Sequence, residues 1–371
     1  MSLLLHVFPT VLDLLFIVTC IGLLATELWV IPRGAKKGMS EQGNRLLSSC
    51  GKVKLSPSYS LWRLLSLILS GLTLMSVVML SQRTMEMSGL PWDEAFSVLP
   101  LVLSGTHYGM TWLVRITAII VLWLGWWRKK TRASRRLTWV MMLAAASVVW
   151  SISASSHAAD WGDFTWPEWI SWLHIMAGSM WVGGILVFVL MFYGRLRNQT
   201  ECSYTLFASC AAGLSRLAGI ALVLVLATGV YNVWRQIDHF SDLWGSGYGR
   251  IILFKLALVG LMAMLGALGR YFGLPFLCRE AGVPLVSRHT CLPLQIWKRL
   301  HPAWRSRKGD ALARQFRHRV MMEAWLALGV LVCAALLGHA MPPKQHVDAV
   351  QHVKILDVGK HPDFHFESGL T

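Results

Sequence analysis

The run Trp172-Leu173-His174-Ile175-Met176-Ala177-Gly178-Ser179-Met180-Trp181-Val182-Gly183-Gly184-Ile185-Leu186-Val187-Phe188-Val189-Leu190 decides the fold. It lies within a stretch, 168–193, in which no charged side chain follows Glu168. A helix needs about 20 mostly apolar residues to cross the hydrocarbon core of a bilayer. Seven further stretches have the same character: 10–31, 61–82, 110–127, 137–156, 212–234, 250–272 and 320–340. The third ends in Trp123, Trp126 and Trp127, the composition of an interfacial aromatic belt. Strand-length alternation does not recur, which argues against a β-barrel. The whole chain agrees. Of 371 residues, 55% are hydrophobic and 15% charged, and 19 are Trp; soluble domains carry about 25% charged residues. The mean hydropathy is +0.51. The sequence predicts an all-α polytopic membrane protein, with eight transmembrane helices forming a single membrane domain over 1–136 and 137–340.

The charges give an orientation. Of the 35 Lys and Arg, 27 fall in four segments: 32–63, 128–136, the fifth loop with Arg216, and 270–319. These alternate with loops that carry few. By the positive-inside rule the basic loops are cytoplasmic and both termini face outward. In a bacterium this is an inner-membrane protein with periplasmic termini. No basic region precedes the first apolar run, so the first helix is expected to be retained rather than cleaved as a signal peptide. The formal net charge of +16 therefore records topology first. The basic loop 273–318 interleaves Arg and Trp, as in Trp297-Lys298-Arg299. Beside a membrane, anionic lipid is a simpler partner for it than nucleic acid. None of the seven Cys falls in an outward loop, so all are read as reduced thiols.

The chain also reads as a duplication, with halves of roughly 1–160 and 161–340. Thr106-His107-Tyr108-Gly109 opens span three and Ser246-Gly247-Tyr248-Gly249 opens span seven. Arg115 and Lys255 follow at the same offset. Ser156-His157-Ala158 closes span four and Gly338-His339-Ala340 closes span eight. Asp13 lies nine residues before Gly22, and His174 nine before Gly183. Four helices per half is an even number, so the expected repeat is a parallel 4+4, about an axis along the membrane normal.

Ionisable groups within a membrane are functional candidates by default. His107, His157, His174 and His339 all belong to the outward layer on this topology. Imidazoles from different helices in one layer can hold a metal or a haem iron. Met110 lies one turn from His107 on the same face, and Met176 is close in sequence to His174; thioether suits Cu(I), and imidazole suits either copper state. The alternative for each His is a solvated interfacial side chain, and for each Met plain packing. The repeat favours His157 and His339, which occupy matching places. Arg115 and Lys255 either anchor by snorkelling or serve as gating or haem-propionate partners. Asp13 is the one acid well inside the outward half; it either serves as a metal or proton group or pairs with Arg115 or Lys255. Gly178, Ser179, Gly183 and Gly184 form a small-residue strip for close helix packing. The outward tail 341–371 carries His346, His352, His361 and His365, a segment able to collect Cu(II) or Zn weakly or to be incidental. There is no P-loop, no metal-pump CPC motif and no HExxH.

The run Leu173-His174 through Trp181-Val182-Gly183-Gly184 resembles the LHxxxxxxWxGG signature of the copper resistance protein D (CopD) family. Ser156-His157-Ala158-Ala159 is similar to its GHA motif, with Ser156 in place of glycine. Ser215-Arg216 through Thr228-Gly229 resembles its S…TG helix, and Tyr248-Gly249-Arg250 with Lys255 its YGRxLLxK helix start. The resemblance covers roughly 90–340. It implies a bacterial inner-membrane protein of about eight helices that handles copper, usually by uptake, often beside a periplasmic copper-binding (CopC-like) protein. His157 and His174 match motif histidines; His107 and His339 come from the layer argument alone. Three function classes follow: copper transport, a b-type haem oxidoreductase acting as a cupric reductase with paired His as axial ligands, and a copper-delivery or assembly scaffold.

Overall fold

A computed structural model describes residues 2–31, 57–131, 134–156, 164–192, 201–237, 239–281, 309–340 and 343. Among them there is no strand. The helices are α1 (Ser2–Ala25), α2 (Pro57–Ser88), α3 (Trp92–Gly105), α4 (His107–Thr131), α5 (Arg135–Ala154), α6 (Trp166–Phe192), α7 (Glu201–Gln236), α8 (Asp242–Gly245), α9 (Gly247–Leu268), α10 (Leu274–Glu280) and α11 (Gly309–His339). Helix α1 continues into a π-helical turn, Thr26–Val30, and α9 into another, Gly269–Gly273.

Eight helical spans are long and apolar enough to cross a membrane, the number expected from the sequence. They overrun the apolar stretches at several ends. Span six, for example, runs Thr205–Gln236, against an apolar stretch of 212–234. A helix goes on satisfying its own backbone hydrogen bonds after its side chains turn polar, so hydropathy marks the membrane core and not the helix end.

Two helices were not anticipated. The short α3 and the single turn α8 stand directly before spans three and seven, and they lead into the two Tyr-Gly starts in the same way. The Thr106 hydroxyl donates to Val102 O (2.6 Å) and accepts from Gly109 N (3.0 Å). The Ser246 hydroxyl donates to Asp242 O (2.6 Å) and accepts from Gly249 N (2.9 Å). A Cβ on Gly109 would overlap backbone atoms of Val102 and Leu103; one on Gly249 would overlap those of Asp242 and Leu243. Each glycine lets a preceding turn lie against a helix start.

Helices α1 and α6 form the centre. Helix α1 packs on α2, α5, α6 and α11, and α6 on α1, α5, α7 and α11. The best apolar window of α6 is 67% buried, whereas that of α9 is 17% buried, so α9 lies at the periphery with most of its surface turned to lipid. Exchanging spans one to four with spans five to eight carries most of these contacts onto one another: α1–α2 matches α6–α7, α4–α5 matches α9–α11, and α1–α11 matches α5–α6.

The two central helices cross at Gly22 and Gly183. A Cβ on either glycine would overlap backbone atoms of the other helix. Lipid tails are as apolar as Leu, so helices in a membrane associate through close packing, which small residues permit. The rest of the small-residue strip has other neighbours. A Cβ on Gly184 would lie 2.9 Å from Leu214 Cδ1 of α7, and one on Gly178 only reaches Val225 Cγ2 at 4.0 Å. Gly183→Ala is therefore expected to destabilise the protein by about 1–3 kcal/mol through overpacking, and Gly178→Ala to be close to neutral. Thermal unfolding of both variants in detergent checks the difference; equal melting temperatures would remove the crossing from its central place.

Candidate functional site

Two buried polar clusters lie on the side of the Gly22–Gly183 crossing that the charge pattern assigns to the outer face. The first gathers spans one, two and three. Asp13 of α1 is 4% exposed and forms a salt bridge and hydrogen bond with Arg115 Nη2 of α4, itself 8% exposed. Arg115 Nε donates to Ser76 Oγ of α2 (2.9 Å), and that hydroxyl donates to Leu72 O (2.7 Å). Trp112 Nε1 donates to Ser76 O (3.0 Å). Arg115 thus turns inward onto Asp13 and does not snorkel. One turn toward the N-terminus from Asp13 on α1, Thr10 Oγ1 lies 2.9 Å from Nε2 of His339, which is exposed at the end of α11.

The second cluster gathers spans five, six and seven. His174 of α6 is partly buried, and its Nδ1 lies 2.9 Å from Thr228 Oγ1 of α7. The neighbouring Gly229 leaves room for the ring: a Cβ there would stand 3.3 Å from His174 Cε1. Lys255 of α9 is near enough for its charge to act on both His174 and Cys333. No described carboxylate lies within ion-pair distance of Lys255.

The other candidates are separated from these clusters. His107 is exposed at the start of α4, with Met110 57% exposed one turn on. Met176 is buried, but two residues from His174 on a helix it points to the opposite side. His157 and the tail residues His346, His352, His361 and His365 lie outside the described residues. Among the described residues, no three His, Cys, Asp or Glu side chains form a group able to hold a metal ion.

At the opposite end, Glu27 on the π-helical turn pairs with Lys129, and Thr138 Oγ1 lies 3.2 Å from Glu27 Oε1. Between the ends the interior is apolar. Cys20, Cys210, Cys278 and Cys333 are buried and form no disulfide. The Thr19 hydroxyl donates back to Leu15 O (2.6 Å) and offers no open proton.

Sequence reasoning missed Ser76 and Thr10, and gave Thr228 no role. Ser76 carries no signal, being one hydroxyl in an apolar span. Thr228 stands in the Thr-Gly pair that carried the family resemblance, and the structure supplies its purpose: the hydroxyl meets the imidazole and the glycine admits it.

A helical membrane protein with polar clusters buried among its spans is the class these features define. The family model "Copper resistance protein D" matches residues 208–337, and "Copper resistance protein D-like, N-terminal domain" matches residues 3–164. The chain belongs to the copper resistance protein D family. It is 26% identical over 203 residues to "Copper resistance protein D" of Pseudomonas syringae pv. tomato, an alignment covering 53% of this chain and 64% of that protein. It is 26% identical over 211 residues to "Copper transport protein CutJ" of Bacillus subtilis (strain 168), covering 56% of this chain and 38% of that one. The chain thus spans less than two thirds of the length of either relative. No solved structure matches it.

The first cluster makes a stability prediction. Removing one member of a buried ion pair leaves an uncompensated charge and costs about 3–5 kcal/mol, whereas neutralising both is far milder. Arg115→Met alone should therefore lower the melting temperature in detergent sharply, and Asp13→Asn with Arg115→Met should recover most of the loss. Additive losses in the double mutant would mean the two charges do not depend on each other.

Proposed function

We propose that this chain handles copper in a bacterial inner membrane, taking copper ions at the periplasmic face for transport toward the cytoplasm. The observation that carries the reading is His174: a partly buried imidazole within the family's motif run, oriented by Thr228, with no described partner on Nε2. An imidazole held by a hydrogen bond at one ring nitrogen is prepared to bind a metal at the other. The two relatives are named for copper resistance and copper transport, which supports copper as the substrate.

On this reading both termini are periplasmic. The chain is a duplicated four-helix unit, a reading supported by the matching starts of α4 and α9 and by the matching packing of the halves. His157, His339, His107, Met110, Met176 and the tail histidines are further copper ligands or relays, of which His157 and His174 carry the family motif. The acids of the outward loops attract cations. A CopC-like periplasmic protein is the proposed donor or acceptor of copper, and anionic lipid the proposed partner of the basic cytoplasmic loops. Copper delivery without transport is a variant of the same site chemistry.

Metal analysis and absorption spectra of the purified protein, oxidised and dithionite-reduced, test the reading. Bound copper without a Soret band is expected, and His174→Gln should lower copper affinity by more than ~10-fold, since even the loss of an outer-shell partner costs about 10–100-fold. A Soret band that shifts on reduction would overturn copper transport in favour of haem chemistry. Unchanged copper binding in both His174→Gln and His157→Ala would remove these residues from the site.

A further inference from the structure

We propose that Thr228 is a positioning residue that fixes His174 as the Nδ1–H tautomer and leaves Nε2 as the metal-facing atom; the second clause rests on the copper reading above. A threonine hydroxyl has one proton to donate and two lone pairs to accept with. Thr228 Oγ1 donates that proton to the Leu224 carbonyl one turn back on α7, at 2.6 Å. Val225 O, at 3.3 Å, is a second backbone acceptor for the same proton. Both are carbonyls and cannot give a proton back.

Toward His174 the hydroxyl can therefore only accept. The 2.9 Å contact between Nδ1 and Oγ1 then requires the proton to sit on Nδ1. In a neutral imidazole with Nδ1 protonated, Nε2 keeps its lone pair. Lys255 can only donate, so it cannot take over the role of Thr228. Gly229 fixes the ring from the same helix, because any side chain there would press on Cε1. Residues 228 and 229 thus do two separate jobs: one sets the proton, the other the place.

The opposite half has no such arrangement. There Ser76 also gives its proton to a backbone carbonyl, Leu72 O, and also accepts from a side chain, but from Arg115 Nε. The same acceptor geometry holds a guanidinium, which has no lone pair to offer a metal.

The test uses the full chain in detergent, labelled with 15N-histidine, with the His174 signal assigned by its loss in His174→Gln. The wild type is expected to show a protonated Nδ1 and an unprotonated Nε2 at neutral pH. Thr228→Val, which keeps the shape and removes the acceptor, should give mixed tautomers and lower the affinity for added copper by ~10–100-fold. Thr228→Ser should restore both. A wild-type His174 protonated on Nε2 overturns the proposal even if Thr228→Val does not fold. So does a Thr228→Val protein with wild-type spectrum and affinity. If His174→Gln binds copper as the wild type does, the copper reading fails, while the nitrogen spectra still decide the tautomer.

Discussion

Everything else in this molecule is arranged around the approach of two backbones at Gly22 and Gly183. With no hydrophobic drive between helices in lipid, contact distance and shape must hold the bundle together. A side chain on either glycine would push α1 and α6 apart, and these two helices make most of the contacts between the halves. The crossing also sets a level. Asp13 and His174 each lie nine residues before their glycine, which at about 1.5 Å per residue is ~13 Å along the helix. Both clusters therefore sit at the same height above a common contact, one in each half.

The two ends of the bundle differ in chemistry. One end carries Asp13, Arg115, His174, Lys255 and the Thr10–His339 contact. The other carries the Glu27–Lys129 pair beside Thr138. The middle is mainly apolar, with buried cysteines and a few hydroxyls: Thr19 donates to Leu15 O, whereas Ser179 Oγ is buried without a hydrogen-bond partner. Polar atoms are costly in such an interior unless paired. That explains why Thr19, Thr73 and Ser76 donate to the carbonyl a turn back in their own helix.

The helix count was legible because length and apolarity are one-dimensional properties, and span five alone shows both. The short helices α3 and α8 were not: α3 is apolar but too short to cross a membrane and contains Pro100, and α8 is a single turn of four residues. The pairing of Asp13 with Arg115 was legible as one option of two: the sequence places an acid and two cations at similar depth but does not say which helices touch. Packing chose Arg115. Ser76 and Thr10 were invisible, since a hydroxyl becomes informative only when its neighbour is known. The four-histidine layer was a reading of depth and carried no information on proximity. Helices at the same depth face different ways, so His107 ends exposed while His174 is partly buried against Thr228.

The choice of Arg115 has a physical consequence for the other half. A guanidinium stays charged under all conditions met in proteins, so burying it demands a fixed counter-charge, and Asp13 supplies it. That cluster is thereby internally paired: Asp13 takes Arg115 Nη2, Ser76 Oγ takes Arg115 Nε, and the serine's proton goes to the Leu72 carbonyl. At the matching level in the second half the cation is a lysine, no described carboxylate faces it, and the acid's place is taken by histidine. Neither side chain there demands a permanent partner, and the imidazole has one nitrogen committed and one not. The same frame of helices therefore yields a sealed pair on one side and an available ligand on the other. The difference lies in two pairs of side chains at similar depth, Asp13 with Arg115 and His174 with Lys255.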